Sequence, residues 1–147
     1  MLDAATQKSL AMDLFNKCWE LIELPERTVE QDLQMLHLAN ASAWHWADVG
    51  TNENNAISEW QCSRVNALLG FGDAALLHAQ RSVSLIKDLP KPHFMHASGA
   101  EGLAFAHFVA GNHDEALRYK AEALSLLDGV EEDDAEHIRG QIEALPF

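Results

Sequence analysis

Leu69–Ile86, L-G-F-G-D-A-A-L-L-H-A-Q-R-S-V-S-L-I, and Ala110–Leu127, A-G-N-H-D-E-A-L-R-Y-K-A-E-A-L-S-L-L, carry one pattern twice, 41 residues apart. Gly70 falls on Gly111, Asp73 on Asp114, Ala75 on Ala116 and Leu76 on Leu117. Farther on, Ser82, Val83, Leu85 and Ile86 fall on Ala123, Leu124, Leu126 and Leu127. Each shared position has a physical use. Glycine turns the chain because it adopts positive φ without steric penalty. The acid is placed to cap the helix that follows. Small residues at Ala75/Ala116 and Ser82/Ala123 let paired helices approach closely. A repeated unit of this length, made of a glycine turn leading into a helix, points to helical hairpins stacked on one another.

Working outward, the apolar spacing predicts helices on both sides of the repeat. Leu10, Leu14, Cys18, Leu21 and Ile22, with Phe15 and Trp19 beside them, give a first helix from about Thr6 to Leu24, stopped by Pro25. Thr28 and Gln31 have the form of a capping box, opening a second helix over Val29–Val49 with Leu33, Leu36, Ala39, Ala43, Trp44 and Trp46 on its apolar side. Gly50 reads as its C-cap, with positive φ available, and Thr51 as the N-cap of a third helix reaching about Leu69. A fourth helix, capped by Asp73, runs to about Lys87, and a fifth covers about Pro92 to Ala110. Asn112 and Glu115 suggest a second capping box before a sixth helix that ends near Leu127, and Ile138, Ile142 and Leu145 mark a short last helix. No segment alternates as a strand does. The expectation is an all-α chain of about seven helices in a single domain, residues 1–147. Its pairs fall at about 6–49, 52–87 and 92–127, with a capping helix at about 134–145.

Composition narrows function. The chain of 147 residues is long enough to bury a core without disulfides. Its 23 acids against 10 bases give a formal charge of −13, which repels phosphate backbones and anionic membranes. Cys18 and Cys62 are isolated and read as buried thiols, not as a zinc knuckle or redox pair. No basic-then-apolar leader begins the sequence, and no apolar run approaches the roughly 20 residues that span a bilayer. The expectation is a cytoplasmic protein with no nucleic-acid partner, no membrane and no cofactor.

The repeat resembles the tetratricopeptide repeat. The better copy is A-F-A-H-F-V-A-G-N-H-D-E-A-L-R-Y-K-A-E-A-L-S-L, with His107 where an aromatic is usual and Asp128 in place of the closing proline. Trp44–Arg64, W-H-W-A-D-V-G-T-N-E-N-N-A-I-S-E-W-Q-C-S-R, is similar to the same stretch in small bacterial proteins of this repeat type. The resemblance implies a right-handed stack of three helical pairs and a role in protein–protein interaction, either holding a peptide or pairing with a second copy as a homodimer. It also implies that the first helix of each pair lines a groove, into which Trp60, Arg64, Glu101, Phe105 and Phe108 would project. Arg64 stands alone there, without the further Lys, Arg and Asn with which such repeats clamp acidic C-termini. The same residues read equally as interior packing, with Arg64 paired to Glu101 or Glu59.

A rival reading belongs to another class. Eight histidines are enough to consider a metal site, with His37 and His45 on one stripe of the second helix and His93, His96 and His107 on the fifth. A small helical-bundle enzyme or sensor would use these His and the neighbouring Trp residues. Against it, no H-E-x-x-H or E-x-x-H spacing occurs, and there is no G-x-S-x-G, phosphate loop or dinucleotide fingerprint.

Overall fold

The structure, a computed structural model, describes residues 2–147. Among them it contains seven helices and no strand: α1 (Ala4–Ile22), α2 (Val29–Val49), α3 (Asn52–Leu68), α4 (Gly72–Leu85), α5 (Phe94–Val109), α6 (His113–Ser125) and α7 (Glu132–Glu143). None is long and apolar enough to cross a membrane.

The expected turn chemistry holds at some helix starts and fails at others. Thr28 with Gln31 and Thr51 with Asn54 both close full capping boxes, satisfying orphan donors reciprocally. Asp73 does not cap α4. The helix starts two residues earlier, so Asp73 lies in the first turn, where its charge favours the helix dipole, and Phe71 holds the cap position without a side-chain hydrogen bond. Asn112 makes no cap bond either. Its amide turns instead to His107 Nδ1 at 3.2 Å, and Glu115 pairs with Arg118. Gly70 and Gly111, equivalent in the repeat, both take the left-handed turn, at φ 82° and 87°. Gly50 does not, at φ −90°; its need for glycine comes from the Trp46 carbonyl, only 2.7 Å from where a Cβ would stand.

Consecutive helices pair in antiparallel fashion, and buried hydroxyls and thiols stitch the pairs. Ser42 donates to the Ala11 carbonyl and Cys18 to that of Met35, which fixes α2 against α1. Ser63 donates to Ala75 and Ser82 to Ala56, which does the same for α4 and α3. Cys62 reaches the Ala39 carbonyl across the α2–α3 seam. Burial raises both thiols, Cys18 to about 12, so neither is a nucleophile at neutral pH.

Burial shows that the repeat extends beyond its two legible copies. Met35, Ala39, Ser42 and Trp46 of α2 are buried at an interval of 40 from Ala75, Ala79 and Ser82 of α4 and from Ile86 just after it. Ala116 and Ala123 of α6, with Leu127 just after it, continue three of those four positions. The first pair therefore repeats the buried pattern of the second, with Ala39/Ala79 and Ser42/Ser82 identical, but at an interval of 40 where the legible copies stand 41 apart. In α2 the buried stripe runs through Met35 and Trp46, while Leu33 is 52% and Trp44 77% exposed. Trp44, expected on the apolar side of this helix, thus faces solvent.

The helices with odd numbers form one layer: α3 packs on α5 and α5 on α7, and Trp19 of α1 reaches Trp60 of α3 with ring centroids 5.6 Å apart. The even-numbered helices make no comparable contacts with one another. The stack accordingly curves, with α1, α3, α5 and α7 on its inner side. At its centre lies α5, in which every residue from Ala97 to Ala106 is buried. A helix covered on all sides needs small residues, and F-M-H-A-S-G-A-E-G-L-A-F-A supplies them.

Candidate interaction cleft

α5 carries one acid or base apart from its histidines, Glu101, and that residue is 1% exposed. A carboxylate so deep requires partners. Arg64 Nη1 donates to Oε1 at 2.7 Å, and Trp60 Nε1 donates to Oε2 at 2.8 Å. Burial pushes the Glu101 carboxyl above its ordinary range, opposed first by the Arg64 charge and then by these hydrogen bonds. The geometry follows from the repeat: Trp60 and Glu101 are 41 residues apart, so they occupy equivalent positions on parallel neighbouring helices. Gly102 makes room for this contact, since a Cβ there would stand 3.0 Å from Trp60 Cδ1.

The Arg64 guanidinium sits among three rings, 6.0 Å from that of Trp19, 5.8 Å from Trp60 and 5.9 Å from Phe105. Its side chain is 16% exposed, and its buried Nε has no acceptor in the chain. Of the five residues expected to face a groove, four therefore gather in one cluster: Trp60, Arg64, Glu101 and Phe105. Phe108 stands apart at the end of α5, where its ring stacks on Phe147 and His113. The cluster is a polar knot within aromatic packing, so Arg64 and Glu101 engage each other first.

Trp60 also forms part of a cleft of about 230 Å³, to which all four inner helices contribute. Phe15 and Trp19 of α1, Ile57 and Trp60 of α3, and Phe94 of α5 make an apolar wall. Ser98 of α5 and Asp134, His137 and Gln141 of α7 add polar groups. Sequence reasoning placed Trp60 here but missed Trp19, Phe15 and α7. Trp19 could have been found by extending the 41-residue interval backward from Trp60, but α7 could not, since its side of the cleft depends on tertiary packing.

The histidines do not converge. His37 is exposed, and His45 is partly buried with its Nδ1 unpartnered. His93 caps α5 through Nδ1 and stacks on Phe94, and His96 Nε2 bonds the Leu89 carbonyl at 2.8 Å. His107 stacks on Tyr119, and burial lowers its pKa. Among the described residues, no three His, Cys, Asp or Glu side chains are placed to hold a metal ion.

Comparison of the chain with protein families, with curated proteins and with solved structures returned no match.

Proposed function

We propose that the protein is a non-enzymatic interaction module, a tetratricopeptide-like stack of helical pairs that holds a peptide segment on its inner face. The observation that carries this reading is the cleft walled by Phe15, Trp19, Ile57, Trp60 and Phe94 at the meeting of α1, α3, α5 and α7. Rigid aromatic walls around a recess take up one apolar anchor side chain of a partner, the usual centre of a recognition surface. Asp134 on the rim and the charge of −13 favour Lys or Arg beside that anchor. The Arg64–Glu101 pair serves as support behind the wall, holding Trp60 in place.

Selection of displayed peptides on the full chain tests this directly. Enriched sequences should share an aromatic or long aliphatic residue flanked by Lys or Arg. Ile57→Arg, which puts a charge in the wall, should abolish their binding while helicity by circular dichroism is kept, and Gln141→Trp, which fills the cleft from α7, should do the same. Selection without enrichment, or peptides indifferent to both variants, would overturn the reading.

Self-association as a homodimer is a second reading, favoured by the exposed row of Val29, Leu33 and Trp44 along α2. Its test is the mass in solution by light scattering, which Trp44→Glu should reduce to that of a single chain.

A further inference from the structure

α5 has two sides, and only one faces the peptide cleft. At 100° per residue, Phe94, Ser98, Glu101 and Phe105 share one stripe, and His96, Ala100 and Leu103 share the opposite one. Behind that second stripe α4 and α6 splay apart, leaving a cleft of about 380 Å³. We propose that this cleft binds a small dissolved amphiphilic anion, with a carboxylate, sulfonate or phosphate head on an apolar body.

Its volume lies within the roughly 300–1,000 Å³ of small-molecule pockets. The floor is apolar, made by Ala100 and Leu103 of α5 with Ile86 and Leu126 beside them. Lys87, Lys91 and Arg118 border it, three of the ten Lys and Arg in a chain of net charge −13. Like charges gathered at one recess repel one another unless an anion lies between them. Arg118 is already held, by Glu115 at 2.5 Å and over the Tyr119 ring at 4.4 Å. Lys87 and Lys91 have no carboxylate within ion-pair distance among the described residues.

The arrangement gives the ligand a direction. Antiparallel pairing puts Lys87 and Lys91 near His96 and Leu126, at the end where α4 gives way to the loop before α5. Arg118 and Tyr119 lie toward the other end, with the carboxylate of Glu122 on the α6 wall. The anionic head therefore belongs beside the two free lysines, about one helical turn from Glu122, and the apolar body lies along Leu103 toward Tyr119. A second hollow of about 290 Å³ shares Lys91, His96 and Leu126 and brings the Asp128 carboxylate to its own lining.

The probe is 8-anilinonaphthalene-1-sulfonate, an aromatic body with one sulfonate, titrated by fluorescence into the full chain. One saturable site is expected, weakened by salt because its head is held by exposed charge. Lys87→Glu with Lys91→Glu should weaken it about tenfold or more, the loss expected when charge-assisted hydrogen bonds disappear. Lys8→Glu with Lys17→Glu makes the same change of charge on exposed positions of α1 and should leave affinity within about twofold. Ile57→Arg should leave it as well, which separates this site from the peptide cleft. Equal binding by the parent and the Lys87/Lys91 variant overturns the proposal, as does equal weakening by the α1 variant or loss with Ile57→Arg. Co-sedimentation with phosphatidylglycerol vesicles that vanishes in the Lys87/Lys91 variant would assign the anion to a membrane surface and overturn the dissolved ligand.

Discussion

Glu101 is the residue on which the interior turns. Its carboxylate has two partners, and removing either leaves a buried group short of a bond. Arg64→Met removes the cation while keeping most of the stem that lies among Trp19, Trp60 and Phe105. The loss is expected to be about 3 kcal/mol at neutral pH by urea denaturation, the low end for a broken buried pair because Arg64 is partly reached by water. A shift below about 1 kcal/mol would mean that Glu101 is solvated or protonated without it. The parent protein should also show a pH signature. The folded-state pKa of Glu101 lies above its ordinary value of 4.5, so its stabilising contribution is full below that value and declines as pH rises through the folded one. Glu101→Gln carries no titrating group. The stability of the parent relative to this variant should therefore fall as pH is raised from 4.5, and a difference that stays flat from pH 4 to 8 contradicts the assignment.

Helices start where side chains supply what the first turn lacks, and the starts of α2, α3, α4 and α6 divide evenly. Thr28 and Thr51 each close a reciprocal box on exposed surface, so Thr28→Ala or Thr51→Ala should cost about 1 kcal/mol apiece. Asn112 occupies the corresponding place before α6 without making a cap bond, and Asn112→Ala should stay within about 0.5 kcal/mol. Comparing melting curves of the three variants measures this directly, and equal losses at all three would mean that Asn112 caps after all. Thr28–Gln31 was legible as a box and Thr51 as a cap because these bonds act within one turn, while the return bond from Asn54 to Thr51 came only with the structure. The starts of α4 and α6 were misread because Asp73 and Asn112 had competing options, the dipole for one and His107 for the other.

At the scale of the molecule, α7 is both a cap and a working wall. Ile138, Ile142 and Leu145 are buried against α5 and α6, covering alanines that would otherwise end the stack in exposed apolar surface. Ile142→Ala should cost about 3 kcal/mol, measured by urea denaturation, since the side chain is fully buried and its neighbours are too small to close the gap. A loss near zero would show α7 to be an ornament on a stack that is stable without it. Because α7 also supplies Asp134, His137 and Gln141 to the cleft, the same helix that completes the core completes the candidate site.

The sequence by itself determined the all-α class, the number of helices, most of their limits and the pairing implied by the 41-residue repeat. These rest on local or periodic physics: helix propensity, apolar spacing, caps, and turn glycines that must take positive φ. It also brought four residues of the central cluster into view, because a repeat places equivalent positions on neighbouring helices. Only the tertiary structure decided what that cluster is. Whether Arg64 faces a ligand or Glu101 depends on how closely α3 and α5 approach, and Gly102 beneath Trp60 sets that distance. In the same way, Trp44 and Trp46 are two residues apart on α2 and differ by 200° around its axis. Which of them is core was settled by the neighbour that arrived, and so was the presence of α7 in the cleft.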